Sequence, residues 1–426
     1  MGATKRSVIG IVAVATVAVL LAGCSAGTST DAKKTATPAD TTGTLRVLVP
    51  SYPASTEGEA AFQKVVDTFH KTYPDITVQP DFATFGNLNQ KISTSIAGGQ
   101  PYDVIVSGVG WVPPFASKKA FLNLAKFGVT PTTLAKEVAP AIIPAVTYNK
   151  AAYAYPLILG AKPLALSRSA FTAAGLDPNK PPTNLAELEK DAKLLTQKDS
   201  SGKITRAGFD FWAAPGAYRQ DFVALLGALG KNLYTDGKPN FDNAQGKQAL
   251  GFIKGMIDDG VIAYGQTSAS GSPLLYTGQA AMGFVGGYID CKAVTQAVCD
   301  DLKFFNLQDD KKSMFSGGQL ASIGSQSKLA GPAWSFIKAL STPSAEAEIA
   351  ALNFAVPAAA GSDKSEVVTG NPASKFSYAN LSHVVFEGGT ANWLDLRNEF
   401  GTDLDQALLG KATTADVLAK LAADSK

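Results

Sequence analysis

Apolar positions recur along the chain with two periods, and together they lay out an alternating α/β order. Leu45-Arg46-Val47-Leu48-Val49 reads as a strand. After a loop through Ser51 and Tyr52, the apolar residues Phe62, Val65, Val66, Phe69 and Tyr73 return at helical spacing, predicting a helix over 59–73. Pro74 ends it and Ile76-Thr77-Val78 opens a second strand, so the order is βαβ and the sheet parallel. A second helix over 87–97 stops at Gly98-Gly99. It is followed by the continuous strand Tyr102-Asp103-Val104-Ile105-Val106, which opens into Ser107-Gly108-Val109-Gly110-Trp111. Asp103 begins this strand and is expected to be structural. Ligands of open α/β sheets sit beyond the carboxyl ends of the strands, where Tyr52 and Trp111 fall. The stretch 153–157 is predicted to cross from one lobe to the other. Asn184 and Glu187 form a capping-box pattern before the apolar face Leu185, Leu188, Ala192 and Leu195. Another amphipathic helix covers 245–259 and is closed by Gly260. Phe284-Val285 is a short strand running into Gly286-Gly287-Tyr288. Helices are expected at 332–340 and 344–353, with an amphipathic tail over 404–421.

Length and charge narrow the class. A chain of 426 residues exceeds one ordinary core and implies two lobes. The formal charge is +2, but Lys5 and Arg6 lie in an N-terminal segment expected to be removed, which leaves a neutral body. A neutral chain without basic blocks argues against nucleic acid as a partner. Val8–Leu21 is apolar but short for a membrane span, and follows two cations, as in a secretion signal. It ends Leu21-Ala22-Gly23-Cys24, which resembles the lipobox of bacterial lipoproteins; that resemblance implies a lipid on Cys24. Residues 25–44, rich in Ala, Thr, Ser and Asp, read as a tether spanning roughly 25 Å.

Five segments in order carry a wider resemblance: the lipobox; Tyr102-Asp103-Val104-Ile105 after a Gly-Gly helix end; Phe171–Asp177 with the helix through Leu195; Thr277–Met282 with Gly286-Gly287-Tyr288; and Gly317-Gly318-Gln319-Leu320 before Trp334–Ile337 and Leu340–Pro343. They resemble the sugar-binding members of the extracellular solute-binding proteins of ABC importers, the cluster that includes maltose-binding protein. The resemblance implies a periplasmic-binding-protein-like fold (type II) of two α/β lobes joined by crossing strands around a ligand cleft. Expected boundaries are 1–23 leader, 24–43 tether, 44–158 with 308–365 as lobe 1, and 159–307 with 366–426 as lobe 2. It also implies that cleft aromatics stack on sugar rings, because a pyranose presents a weakly positive C–H face to the negative face of an arene. The ligand-binding candidates are Ser51, Tyr52, Trp111, Trp212, Tyr218, Tyr288, Gly317, Trp393 and Arg397. Core packing competes for each aromatic, and about half are expected to line the cleft. Arg397 suits either a ligand hydroxyl or an ion pair with Glu399 or Asp395. Where the maltose-type proteins offer an acid, this chain has Gly160 with Lys162 close by, so a different hydroxyl pattern is implied.

Cys291 and Cys299 remain after Cys24, and in an exported protein a disulfide is the default. His70, expected to be solvated, and His383 are far apart; no zinc-type constellation exists and no phosphate loop with lysine is present, so no metal or cofactor is implied. The expectation is a monomeric, non-enzymatic carbohydrate receptor, held outside the cytoplasm by lipid on Cys24 and delivering its sugar to a permease with partner ATPases. The same fold binding a polyamine, iron or a peptide is an alternative, and an exported glycosidase, which needs two carboxylates about one bond, is the rival of another class.

Overall fold

The computed structural model describes residues 41–307 and 311–425. The leader, Cys24 and nearly all of the tether lie outside the described residues. None of the helices described is long and apolar enough to cross a membrane.

The first helix, Thr56–His70, begins where the Ser55 hydroxyl accepts from the Gly58 amide, and it buries Phe62, Val65, Val66 and Phe69. Its flanking strands, Gly43–Leu48 and Ile76–Asp81, pair in parallel with Gly43 opposite Ile76. Val104–Gly108 adds in parallel on the other side, Val47 opposite Val104. Asp103 is structural as expected: its carboxylate accepts from the Arg46 amide at 2.9 Å and the Ser327 hydroxyl at 2.6 Å. His70 departs from the expectation of a solvated ring. It is half-buried, with Nε2 2.9 Å from the Ile76 carbonyl, and so ties the helix end to the next strand.

The sheet is completed by the long strand Met314–Ile323, antiparallel both to Val104–Gly108 (Gln319 opposite Gly108) and to the crossing strand Tyr155–Lys162 (Gly317 opposite Gly160). Val356–Pro357 closes one edge, and Val384–Val385 pairs with Met314–Phe315 to make seven strands. The crossing strand is eight residues long and continues past the expected 153–157. A smaller three-stranded sheet centres on Leu164–Ser167, flanked by Met282–Phe284 and Leu302–Phe305. The C-terminal tail is not one amphipathic helix. Trp393–Leu408 and Thr414–Asp424 are separate, broken at Gly410, which takes a left-handed φ of +70° that any other residue would resist.

Two large cores result. One holds Leu45, Val47, Phe69, Val106, Leu157, Leu159, Leu320 and Phe336; the other holds Leu164, Phe209, Phe222, Phe241, Phe284, Leu404 and Trp393. Membership switches between Ala161 and Leu164, between Met314 and Phe315, and between Val384 and Val385. Phe315 pairs with both Lys162 and Val385, so the three switches lie side by side at one level of the sheet. Gly287 packs there as well. A Cβ on it would meet the Ala161 carbonyl at 3.0 Å, so this glycine permits close backbone approach to the crossing strand, whereas Gly286 faces Phe354.

Candidate functional site

Beside the level where the cores change lies a cavity of about 260 Å³, just below the roughly 300–1,000 Å³ usual for ligand sites. Its floor is bare backbone: Gly160, Gly317 and Gly318 on two paired strands. One wall comes from the first lobe. Strand Val104–Gly108 ends, the chain turns at Gly110 (φ +86°), and Trp111 folds back over Gly108, where a Cβ would stand 3.0 Å from the indole Nε1. Phe85 meets Trp111 edge-on at 6.3 Å and is 39% exposed, so of the two rings it offers the larger free surface. Gln319 and Asn353 supply amides to this wall.

The opposite wall comes from the second lobe and carries the charge: Gln220, Phe315, Glu387 and Arg397. Glu387 accepts from Arg219 Nε at 2.6 Å and from Arg397 Nε at 2.9 Å. Burial alone pushes this carboxyl up, but the two guanidiniums outweigh it and hold Glu387 below the usual carboxylate range. Behind the wall, Lys162 stands over the faces of Trp212 and Phe284, 5.1 and 5.7 Å from the ring centres. Its ammonium donates to Gln220 Oε1 at 3.4 Å and lies 3.6 Å from Asp221. Asp221 is buried, and burial pushes it up to about 7 despite Lys162, with Asp210 adding to the rise. Asp210 is raised by burial to about 6, although the amides of Trp212 and Leu274 donate to it. Glu387 also lines a second cavity of about 180 Å³, with Gly110, Tyr234, Lys312 and Gly388.

Of the nine residues expected from sequence, the cavity collects Trp111, Gly317 and Arg397. Ser51 is buried, and its carbonyl accepts from Asn353. Tyr52 is buried edge-on to Phe62, 5.3 Å between centres. Tyr218 is buried and stacked on Tyr264 at 5.6 Å, its hydroxyl accepting from the Gly265 amide. Trp393 is fully buried between Tyr234 and Phe400, with its edge against Gly110 of the first lobe. Trp212 and Tyr288 are half-buried and outside the cavity lining; the indole N–H of Trp212 is held by the Gly271 carbonyl at 2.7 Å. Arg397 pairs with Glu387, and not with Glu399 or Asp395. The residues missed by sequence reasoning are Phe85, Gln220, Gln319, Asn353 and Glu387. Gln319 stood within the Gly317-Gly318-Gln319 stretch; the others carried no local signal. Cys291 and Cys299 are joined, with 5.9 Å between their Cα atoms. The acidic group Glu399, Asp403 and Asp424 is spanned by the Lys420 ammonium.

Two α/β lobes that share crossing strands and place a cavity between them define the class of two-lobe solute-binding proteins. Residues 52–347 match the family profile, and the chain belongs to the bacterial extracellular solute-binding proteins. Solved structures share the fold. An ABC transporter solute-binding protein from Thermotoga lettingae, bound with alpha-D-tagatose, has a TM-score of 0.72 at 20% identity, over 90% of this chain and 99% of that one. A protein from Mycobacterium tuberculosis in complex with glycerophosphocholine has a TM-score of 0.73 at 17% identity, over 90% and 98%. A protein of Brucella abortus named as a binding protein is 26% identical over 233 residues, 53% of each chain. This chain spans about half the length of the curated relatives it matches.

Proposed function

We propose that the chain is the carbohydrate receptor of an ABC importer, anchored outside the cytoplasm by lipid on Cys24, working as a monomer and handing its sugar to a membrane permease driven by partner ATPases. The observation that carries the reading is the cavity itself. Phe85, backed by the largely buried Trp111, presents aromatic surface from one lobe, Arg397 and Gln220 present donors from the other, and the glycine floor lets a flat ring approach the sheet. A small ring rimmed with hydroxyls matches such a site, and the tagatose bound to the Thermotoga lettingae protein supports the comparison. The lobes turn about the three neighbouring switches at 161–164, 314–315 and 384–385, and a ligand touching both walls favours the closed form by its differential affinity. Catalysis is not part of this reading: among the described residues only one carboxylate, Glu387, lines the cavity, and two arginines hold it.

A second reading keeps the receptor and changes the solute. Arg219 and Arg397 share a single carboxylate, which leaves one cationic charge in excess at that wall and favours a ligand with an anionic group. A thermal-shift screen of mono- and oligosaccharides beside glycerophosphodiesters, polyamines, ferric citrate and short peptides separates the two. A ligand that binds only the folded state raises the melting point. A shift with a sugar recovered intact supports the first reading. A shift with non-sugars alone replaces the ligand, and recovery of a cleaved sugar overturns the non-catalytic assignment.

A further inference from the structure

Gln319 sits where the long strand breaks register: Gln319 faces Ile158 but Leu320 faces Pro156, so Leu157 is passed over. The extra residue, Leu157, belongs to the crossing strand; Gln319 lies two residues beyond Gly317 on its own strand, and both line the cavity. Hydrogen bonds then settle which way the amide points. Asn353 Nδ2 donates to the Ser51 carbonyl at 2.9 Å and the Ile349 carbonyl at 2.8 Å, so its Oδ1 is left as an acceptor. Gln319 Nε2 donates to that Oδ1 at 2.8 Å. Flipping either amide would set two acceptors or two donors face to face. Gln319 Oε1 is therefore the free end of the relay. The residue is 5% exposed, and among the described residues this oxygen has no donor. A buried acceptor without a donor is costly and calls for a partner. Across the cavity Arg397, pinned through Nε, presents only donors.

We propose that Gln319 is a specificity-determining ligand contact whose Oε1 accepts a hydrogen bond from a ligand hydroxyl, while Arg397 on the facing wall donates to a ligand oxygen. The cleft thus reads its sugar with a fixed polarity, a donor toward the first lobe and an acceptor toward the second. This rests on the carbohydrate reading above.

The test uses the full chain and a calorimetric panel of D-glucose, D-galactose, D-mannose, D-tagatose and maltose, with the monodeoxy forms of whichever sugar binds. Gln319→Leu is expected to weaken that sugar by ~10- to 100-fold. One monodeoxy form should weaken wild type by a similar factor, yet bind Gln319→Leu as well as the parent sugar does. A purely structural role for Gln319 would weaken all forms in parallel and leave no such pair. Gln319→Leu binding the parent sugar as wild type does, or parallel weakening of every deoxy form, overturns the contact and leaves the receptor reading standing. No binding by any sugar to wild type overturns the carbohydrate reading, and this inference with it. Melting of the ligand-free variant checks that it is folded. If it is not, Gln319→Met replaces it.

Discussion

Neutralising Glu387 is expected to weaken the second-lobe wall by a predictable amount. The carboxylate is 6% exposed and holds two guanidiniums, Arg219 at 2.6 Å and Arg397 at 2.9 Å. Glu387→Gln keeps the shape and one acceptor but leaves both cations without an anion. Breaking a buried pair costs roughly 3–5 kcal/mol. Arg397 is partly open to water and Gln retains one bond, so a loss of about 3 kcal/mol is expected. Urea unfolding at pH 7 should show a lower midpoint at unchanged slope. Arg219→Met should be nearly as costly alone and add little on top of Glu387→Gln, because residues in one network do not add. The pH dependence gives a second reading. The folded carboxyl titrates below its unfolded value of about 4.3, so its contribution is present above that pH and lost as the pH falls through the folded value. The gap between wild type and Glu387→Gln should therefore close in acid. Equal midpoints at pH 7, or a gap that persists unchanged into acid, would refute the assignment of this wall to the charge cluster.

Three further outcomes are expected. Asp221 is raised by burial to about 7, so wild type should lose stability as the pH rises from about 4 through 7; Asp221→Asn should flatten that slope in a series of urea midpoints, and an unchanged slope would count against it. A Cβ on Gly388 would come 2.4 Å from Gly110 Cα of the other lobe, so Gly388→Ala should lower ligand affinity; Gly410→Ala, with φ +70° and no neighbour near its Cβ, controls for backbone strain, and equal affinities in the two variants would dismiss the interlobe contact. Reducing Cys291–Cys299, eight residues apart, should lower stability by roughly 2–3 kcal/mol, read as a urea midpoint shift absent from the double serine variant.

Much of the first lobe was legible because its signals are local. The first strand, the helix after it and the strand before Trp111 each rest on spacing within fifteen residues, although the Ser55 cap starts that helix three residues before the expected 59; hydrophobic period is the strongest signal a single chain carries. The tail was misread for an equally local reason: the apolar face continues past Gly410, but its left-handed backbone ends the helix. Most of the second wall had no such signal. Arg219 and Glu387 are separated by 168 positions, and nothing near either residue announces the other. Glu387 sits after a two-residue strand, where an acid reads as surface.

The aromatics show why residue type alone misplaces a site. Tyr52, Tyr218 and Trp393 have the surface a sugar would stack on, but each ring is enclosed by other rings, because large apolar area is also what a core needs. Trp111 is itself 4% exposed and stacked on Phe115, and reaches the cavity because Gly108 admits the indole; of these rings Phe85 alone stays open, 39% exposed. The informative feature is therefore the absence of side chains around a ring more than the ring itself. On that criterion the glycines at 108, 160, 317 and 318 mark the cavity more closely than any of the tyrosines. Gln319 follows from the same logic. It is the first side chain after two glycines, and its place in the cavity wall depends on pairing with Ile158 of the crossing strand, a relation between segments some 160 positions apart.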